Sequence, residues 1–211
     1  MSDKILLAHQ FEDLEQQRET SVLGMWVFLA TEIMFFGGLF ATYAIYRLLY
    51  SKIFIDASHS LGVFFGALNT GILLCSSFTM ALALHAVKVK RRKTLMFFLL
   101  LTSFLGCIFL GIKGYEYYEK FREYHVPGVS FKYHGASPKI AELFFWLYFS
   151  MTGLHALHVL IGIGVLWIMF FLFWRNYLPL EKHMPVEIAG LYWHFVDIVW
   201  VFLFPLLYLV R

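Results

Sequence analysis

The sequence predicts an all-α polytopic membrane protein, a bundle of five transmembrane helices, on two observations. Of its 211 residues, 60% are hydrophobic and only 15% are charged, which is more apolar surface than a soluble domain of this length can bury. The apolar residues also fall into five stretches that are each long enough to cross a bilayer. We therefore divide the chain into a polar N-terminal segment, residues 1–21, and a single five-helix membrane domain, residues 22–211.

The five apolar stretches place the spans at about residues 22–46, 61–87, 95–115, 143–174 and 188–210. The fourth is longer than a crossing requires, so we expect it to tilt or to project beyond the bilayer. After the third, the sequence from Glu116 to Glu123 predicts a helix that continues into water, with Glu116 and Lys120 spaced for an ion pair. Aromatic residues near span ends predict an interfacial belt of Trp26, Trp174, Tyr177 and Tyr208.

The loop between the second and third spans decides the expected orientation. It carries a run of basic residues, namely Lys88, Lys90, Arg91, Arg92 and Lys93. Short loops rich in lysine and arginine stay in the cytoplasm, so we expect the N-terminus inside and the C-terminus outside. Contact of the same cluster with anionic lipid head groups is the alternative. The net charge of +3 is too small to indicate a nucleic-acid partner.

Glu32 lies near the middle of the first span, where an ionisable side chain is costly and requires a partner or a purpose. A carboxyl group at this depth must be protonated, paired or next to water. Gly37 and Gly38 follow it, and Gly162 and Gly164 lie in the fourth span, where glycines let neighbouring helices approach closely. Two interpretations stay open: a proton-relay or inhibitor-reactive carboxyl group, and a hydrogen bond that locks two helices together.

Two further pairs of polar residues lie inside spans at a spacing of three, which places each pair on one helix face. They are His155 with His158, and His194 with Asp197. Such side chains are candidate ligands for a metal ion or a haem, and Glu32 with Asp197 would suit a proton or ion transporter. The Glu-x-x-His repeat of di-metal bundles is absent, as are phosphate-binding glycine loops and nucleophile elbows. We therefore favour a hydrogen-bonded polar seam and predict no catalytic residue and no metal site.

Four blocks of the sequence occur in the order of a known family. They read LGMWVFLATEIMFF from Leu23, YEYYE from Tyr115, TGLHALHVLIG from Thr152 and EIAGLYWHFVDIVW from Glu187. In these blocks the chain resembles subunit III of haem–copper terminal oxidases of the cytochrome c oxidase type. The resemblance extends over nearly everything from Leu23 onward.

The resemblance implies an accessory subunit that has no redox centre and is not an enzyme on its own. Haem and copper in this family belong to the partner subunits. Subunit III packs beside subunit I, binds structural phospholipid in a cleft between its helices, and supports the proton uptake of a proton-pumping oxidase. A multi-pass location in the prokaryotic cell membrane follows, because five spans match the short prokaryotic form of a family whose larger members have seven.

The resemblance also implies roles for individual residues. Glu32 matches the buried carboxyl group that reacts with carbodiimide. Glu187 and His183 match positions near the lipid cleft and its edge, and Trp193 is a further cleft candidate. Five residues match or extend the polar seam of the bundle: His155, His158, His194, Asp197 and Glu116.

Two alternatives to a cytochrome c oxidase subunit remain open. Quinol oxidases of the same superfamily also have a five-helix subunit III, but they tend to carry aspartate where Glu32 stands, so Glu32 favours cytochrome c as the electron donor. A free-standing membrane haem or metal electron carrier that uses His155, His158 and His194 is the second alternative.

Overall fold

The computed structural model describes residues 13–128, 131, 137–181 and 183–209. The described residues form six α-helices: α1 (Leu14–Leu49), α2 (Ser51–Ser58), α3 (Val63–Lys88), α4 (Arg92–Arg122), α5 (Pro138–Trp174) and α6 (Met184–Tyr208). All except α2 are long and apolar enough to cross a membrane. The predicted all-α fold with five membrane-spanning helices is therefore confirmed, and the orientation of its termini stays a prediction.

The first spanning helix begins well before the apolar residues do. Asp13 caps α1, its side chain accepting a hydrogen bond of 2.6 Å from the backbone N–H of Gln16, and Glu15 lies in the first turn. Both features stabilise a helix N-terminus. The boundary that we set at residue 21 therefore falls inside α1, and residues 1–12 of the predicted polar segment lie outside the described residues.

The helices α3, α4, α5 and α6 pack into a four-helix bundle, and α1 lies against its outside. Within the bundle α3 contacts α4 and α6, and α5 contacts the same two helices. The most buried spanning helix is α6 and the least buried is α1. Buried residues of α1, namely Leu29, Phe36 and Tyr43, recur every seven positions, so one narrow stripe of α1 faces the bundle.

Close packing inside the bundle centres on Trp193 of α6. A Cβ atom at Gly106 on α4 would lie 2.9 Å from the Trp193 ring, and one at Gly162 on α5 would also lie 2.9 Å from it. Glycine at both positions is what lets the indole lie between α4 and α5. Gly162 thus serves the close packing that we predicted, whereas a Cβ atom at Gly164, Gly37 or Gly38 would meet nothing within 4 Å.

The predicted aromatic belt is partly wrong. Trp26, Trp174 and Tyr177 are 56%, 57% and 73% exposed, as side chains at a membrane interface would be. Tyr208 is only 1% exposed. It points into the bundle because its hydroxyl group has buried charged partners, which are described below.

Candidate functional site

Glu32 on α1 pairs with His158 on α5. The distance from Glu32 Oε2 to His158 Nε2 is 3.2 Å, and the two side chains are 19% and 12% exposed. The other ring nitrogen, Nδ1, lies 2.8 Å from the carbonyl of Leu154, which can only accept, so Nδ1 carries a proton. The ring nitrogen that faces the Glu32 carboxyl group is Nε2. This contact favours the interpretation that Glu32 locks two helices together.

His194 and Asp197 share a face of α6 but do not hydrogen-bond to each other. His194 Nδ1 lies 2.7 Å from the hydroxyl of Ser77 on α3. Asp197 is 4% exposed, and neither of its carboxyl oxygens has a hydrogen-bond partner among the described residues. We expected His194 to contact Asp197. Its hydrogen-bond partner is instead the hydroxyl of Ser77.

His155 on α5 is buried in the bundle core, one helical turn from His158. Its Nε2 lies 3.1 Å from the carbonyl of Val196 and therefore donates to it, while Nδ1 has no partner in the described part of the chain. The three predicted metal or haem ligands His155, His158 and His194 thus bind three different groups. The described residues contain no cluster of three or more His, Cys, Asp or Glu side chains placed to hold a metal ion.

A buried ion pair on α4, between Glu116 and a lysine that the sequence predictions left out, hydrogen-bonds to tyrosines on α5 and α6. Lys113 Nζ lies 3.1 Å from Glu116 Oε2, and the side chains are 3% and 1% exposed. The hydroxyls of Tyr148 and Tyr208 accept from Lys113 at 3.2 and 2.7 Å, and donate to Glu116 Oε1 at 2.8 and 2.5 Å. We call these four residues the ion-pair cluster; every donor of the ammonium group has an oxygen partner within it.

The ion-pair cluster corrects the prediction that the end of α4 extends into water with Glu116 and Lys120 paired. The helix does continue, but Glu116 pairs with Lys113, and Lys120 is 4% exposed. Lys120 Nζ instead contacts Glu123 at 2.5 Å and the carbonyl of Ser60 at 2.7 Å. Burial by itself raises the pKa of Glu123, but the hydrogen bond and charge of Lys120 outweigh it and lower that pKa below its usual value.

An apolar groove runs along the bundle between α1 and α6. One face of α1, from Trp26 to Phe40, and one face of α6, from Leu191 to Phe202, enclose a volume of about 510 Å³. His194 is the only ionisable side chain among the described residues that line it. We call this feature the α1–α6 groove.

The three residues predicted at the lipid cleft do not line the α1–α6 groove. Glu187 lies in the first turn of α6 and is 3.3 Å from Lys88 Nζ. His183 is the residue that precedes α6. Trp193 is 2% exposed, and its indole N–H donates to Ser76 at 3.1 Å, so it is a packing residue of the core.

Comparison with known proteins identifies the family. The family model described as cytochrome c oxidase subunit III matches residues 12–210. The chain belongs to this family. It is 33% identical over 210 residues to the cytochrome c oxidase subunit 3 of Thermostichus vulcanus, covering 96% of this chain and 90% of the relative. It is also 28% identical over 218 residues to a probable quinol oxidase subunit 3 of Staphylococcus epidermidis, covering 96% and 95%.

As a subunit III, the chain is a component of an oxidase complex, and the resemblance drawn from the four sequence blocks is confirmed. The Glu32–His158 contact and the ion-pair cluster consist of different residues. The cluster had one sequence signal, a lysine and a glutamate three residues apart at the end of an apolar span. Its tyrosine partners come from other helices, so no local pattern indicates them.

We expect the contact between Ser77 and His194 to stabilise subunit III modestly. His194→Leu and Ser77→Ala should each lower the free energy of unfolding by about 1 kcal/mol, as intramembrane hydrogen bonds do. The double variant should lose little more than either single variant, because both remove the same contact. Denaturant titration of the four proteins in detergent measures this, and strictly additive losses would contradict it.

Proposed function

We propose that the chain is an accessory, non-redox subunit III of a proton-pumping haem–copper terminal oxidase in a prokaryotic cell membrane. It contacts subunit I above all and stabilises that subunit and its proton uptake, while haem and copper stay in the partner subunits. The match to the family over residues 12–210 carries this proposal. The distribution of the polar groups supports it, since each histidine of the predicted ligand set is held by a different partner.

Cytochrome c is the electron donor that we favour, and quinol is the alternative. Glu32 stands where quinol oxidases tend to carry aspartate, and the Thermostichus relative named for cytochrome c is the more similar of the two relatives above. The donor binds another subunit, so the donor assignment concerns the complex and not the surface of this chain.

We also propose the α1–α6 groove as a site for structural phospholipid, in addition to the cleft positions Glu187, His183 and Trp193 inferred from the sequence. From Trp26 to Phe40 the groove is about 21 Å long at the rise of an α-helix. This exceeds half of the roughly 30 Å hydrocarbon core, so one acyl chain of one leaflet fits along it. The groove leaves space between α1 and α6, and an acyl chain would fill that space and contact both helices.

Purification of the tagged chain from its native membrane tests the assignment. We expect it to migrate with haem–copper subunits, to show their haem spectrum, and to retain phospholipid. The same preparation treated with a hydrophobic carbodiimide should carry the adduct on Glu32. Oxygen consumption with reduced cytochrome c or with a quinol distinguishes the donors. A chain that migrates alone, without haem, would overturn the proposal.

Two adjacent glycines on α1 provide a matched test of the lipid site. Gly37 lines the α1–α6 groove and Gly38 does not, and a Cβ atom at either meets nothing within 4 Å. Gly37→Phe should fill the groove and reduce the phospholipid that co-purifies, whereas Gly38→Phe should leave it unchanged. Equal lipid content in both variants would remove the groove as the lipid site.

A further inference from the structure

The contact between Glu32 and His158 lies deep in the membrane and is still partly exposed on the outside of the chain. Glu32 is near the middle of α1, about 25 Å from either end at the rise of an α-helix. Half of the hydrocarbon core is roughly 15 Å thick, so both side chains lie within it. They are nevertheless 19% and 12% exposed. The α1–α6 groove does not account for this exposure, because neither side chain lines it.

One oxygen of the Glu32 carboxyl group has no partner in the described part of the chain. Oε2 faces His158 Nε2, whereas none of the described residues donates a hydrogen bond to Oε1. His158 has no second donor for it, because Nδ1 donates to the carbonyl of Leu154. A polar atom without a partner is costly in hydrocarbon, and lipid tails carry no hydrogen-bond donor. A donor for this oxygen must therefore come from another molecule, and not from lipid tails.

Exposed apolar side chains surround the polar pair on the same side of the chain. Phe28 and Phe35 lie one turn from Glu32 on α1, and Ile161 lies one turn from His158 on α5. They are 40%, 51% and 50% exposed. Spanning helices associate through close apolar packing and through hydrogen bonds across the contact, and this surface offers both. We call these five residues the α1–α5 face.

We propose that a spanning helix of another oxidase subunit covers the α1–α5 face and donates a hydrogen bond to Glu32 Oε1. The identity of that subunit rests on the proposed function, which makes it subunit I. The middle of α4 provides a contrast. There the exposed residues between positions 100 and 111 include no acidic or basic side chain, so lipid tails can cover them. The two surfaces also lie apart, since α1 packs chiefly against α5 and α6, and α4 against α3 and α5.

Photo-cross-linking in the purified complex tests which surface the partner covers. The photoreactive residue p-benzoylphenylalanine replaces either Phe35 on the α1–α5 face or Phe104 in the middle of α4, which are 51% and 61% exposed. We expect a cross-link to subunit I from position 35 and none from position 104. In a complete complex, a cross-link from position 35 to lipid alone, or one from position 104 to subunit I, would overturn the inference. Absence of haem subunits from the preparation would instead contradict the proposed function.

Three variants test the hydrogen bond itself. Glu32→Gln keeps an oxygen acceptor and should stay with the complex during detergent washing, whereas Glu32→Leu has none and should dissociate severalfold faster. His158→Leu is the control, because it removes the contact within the chain and leaves the Glu32 acceptor in place, so it should dissociate more slowly than Glu32→Leu. Equal dissociation of Glu32→Leu and His158→Leu would show that only the internal contact matters and would contradict the inference.

Coverage of the α1–α5 face should also slow the reaction of Glu32 with a hydrophobic carbodiimide. The reagent has to reach the carboxyl group from the side that the partner covers. We therefore expect Glu32 to be labelled severalfold faster in the natural chain released from the complex by detergent than in the intact complex. Mass spectrometry of the labelled chain at several times measures both rates, and equal rates would overturn the inference.

Discussion

Replacing Lys113 by methionine should lower the free energy of unfolding by about 3–5 kcal/mol, because it leaves the Glu116 carboxylate as an unpaired charge in the core. Glu116→Gln should have a similar effect by leaving the ammonium group unpaired. The pair lies between three helices with 3% and 1% of the two side chains exposed, so water cannot replace the lost partner. Denaturant titration of the purified protein in detergent measures both losses.

The double variant Lys113→Met/Glu116→Gln should recover much of the loss. Removing both charges removes the desolvation penalty together with the attraction, so replacing both partners of a buried ion pair by uncharged residues of similar volume costs far less than removing one. Lys120→Met is the control: its partner Glu123 is 49% exposed and remains solvated, so the loss should be about 1 kcal/mol or less. A Lys113→Met protein as stable as the natural one, or a double variant as unstable as the sum of its parts, would contradict this account.

Gly162→Val should destabilise the bundle by about 3 kcal/mol, at the upper end of the cost of overpacking. A Cβ atom at this position would lie 2.9 Å from Cε3 and Cζ3 of Trp193 and 3.2 Å from the Tyr192 ring. Gly106 on α4 also lies against the indole, which leaves the ring little room to move away. Thermal unfolding of the variant and the natural protein would show the difference.

Gly164→Val is the matched control, because it makes the same change two residues further along α5, where a Cβ atom meets nothing within 4 Å. It should unfold close to the natural protein. Combining Gly162→Val with Trp193→Leu should restore part of the loss, since a smaller side chain leaves room for the new methyl groups. Equal destabilisation at Gly162 and Gly164 would show that helix propensity, not contact with Trp193, sets the cost.

The spans and the family were predictable because both depend on local sequence. An apolar stretch long enough to cross a bilayer is a property of consecutive residues, and the ends of α5 and α6 lie within a few residues of the predicted positions. The start of α1 was missed because hydropathy does not detect a helix that extends into a polar segment. The Asp13 cap was the available signal.

For most of the polar residues, the sequence could not predict which side chain of another helix would be the partner. Spacing placed His194 and Asp197 on one helix face, but it could not show that Ser77 on α3 would meet that face. The same limit applies to Glu116. Its predicted partner was Lys120, one turn later, but it pairs with Lys113, one turn earlier. The two candidate partners on α4 lie three and four residues from Glu116, and the neighbouring helices decide between them.

The sequence by itself determined that this chain is a five-span membrane subunit III, since hydropathy and ordered sequence blocks need no knowledge of packing. Only the tertiary structure decided which buried groups meet. It joined Glu32 to His158 and enclosed Lys113 with Glu116 and two tyrosines. The physical reason is that the cost of burying a charge falls only when a partner lies within a few ångströms, and in a bundle that partner comes from a distant part of the chain.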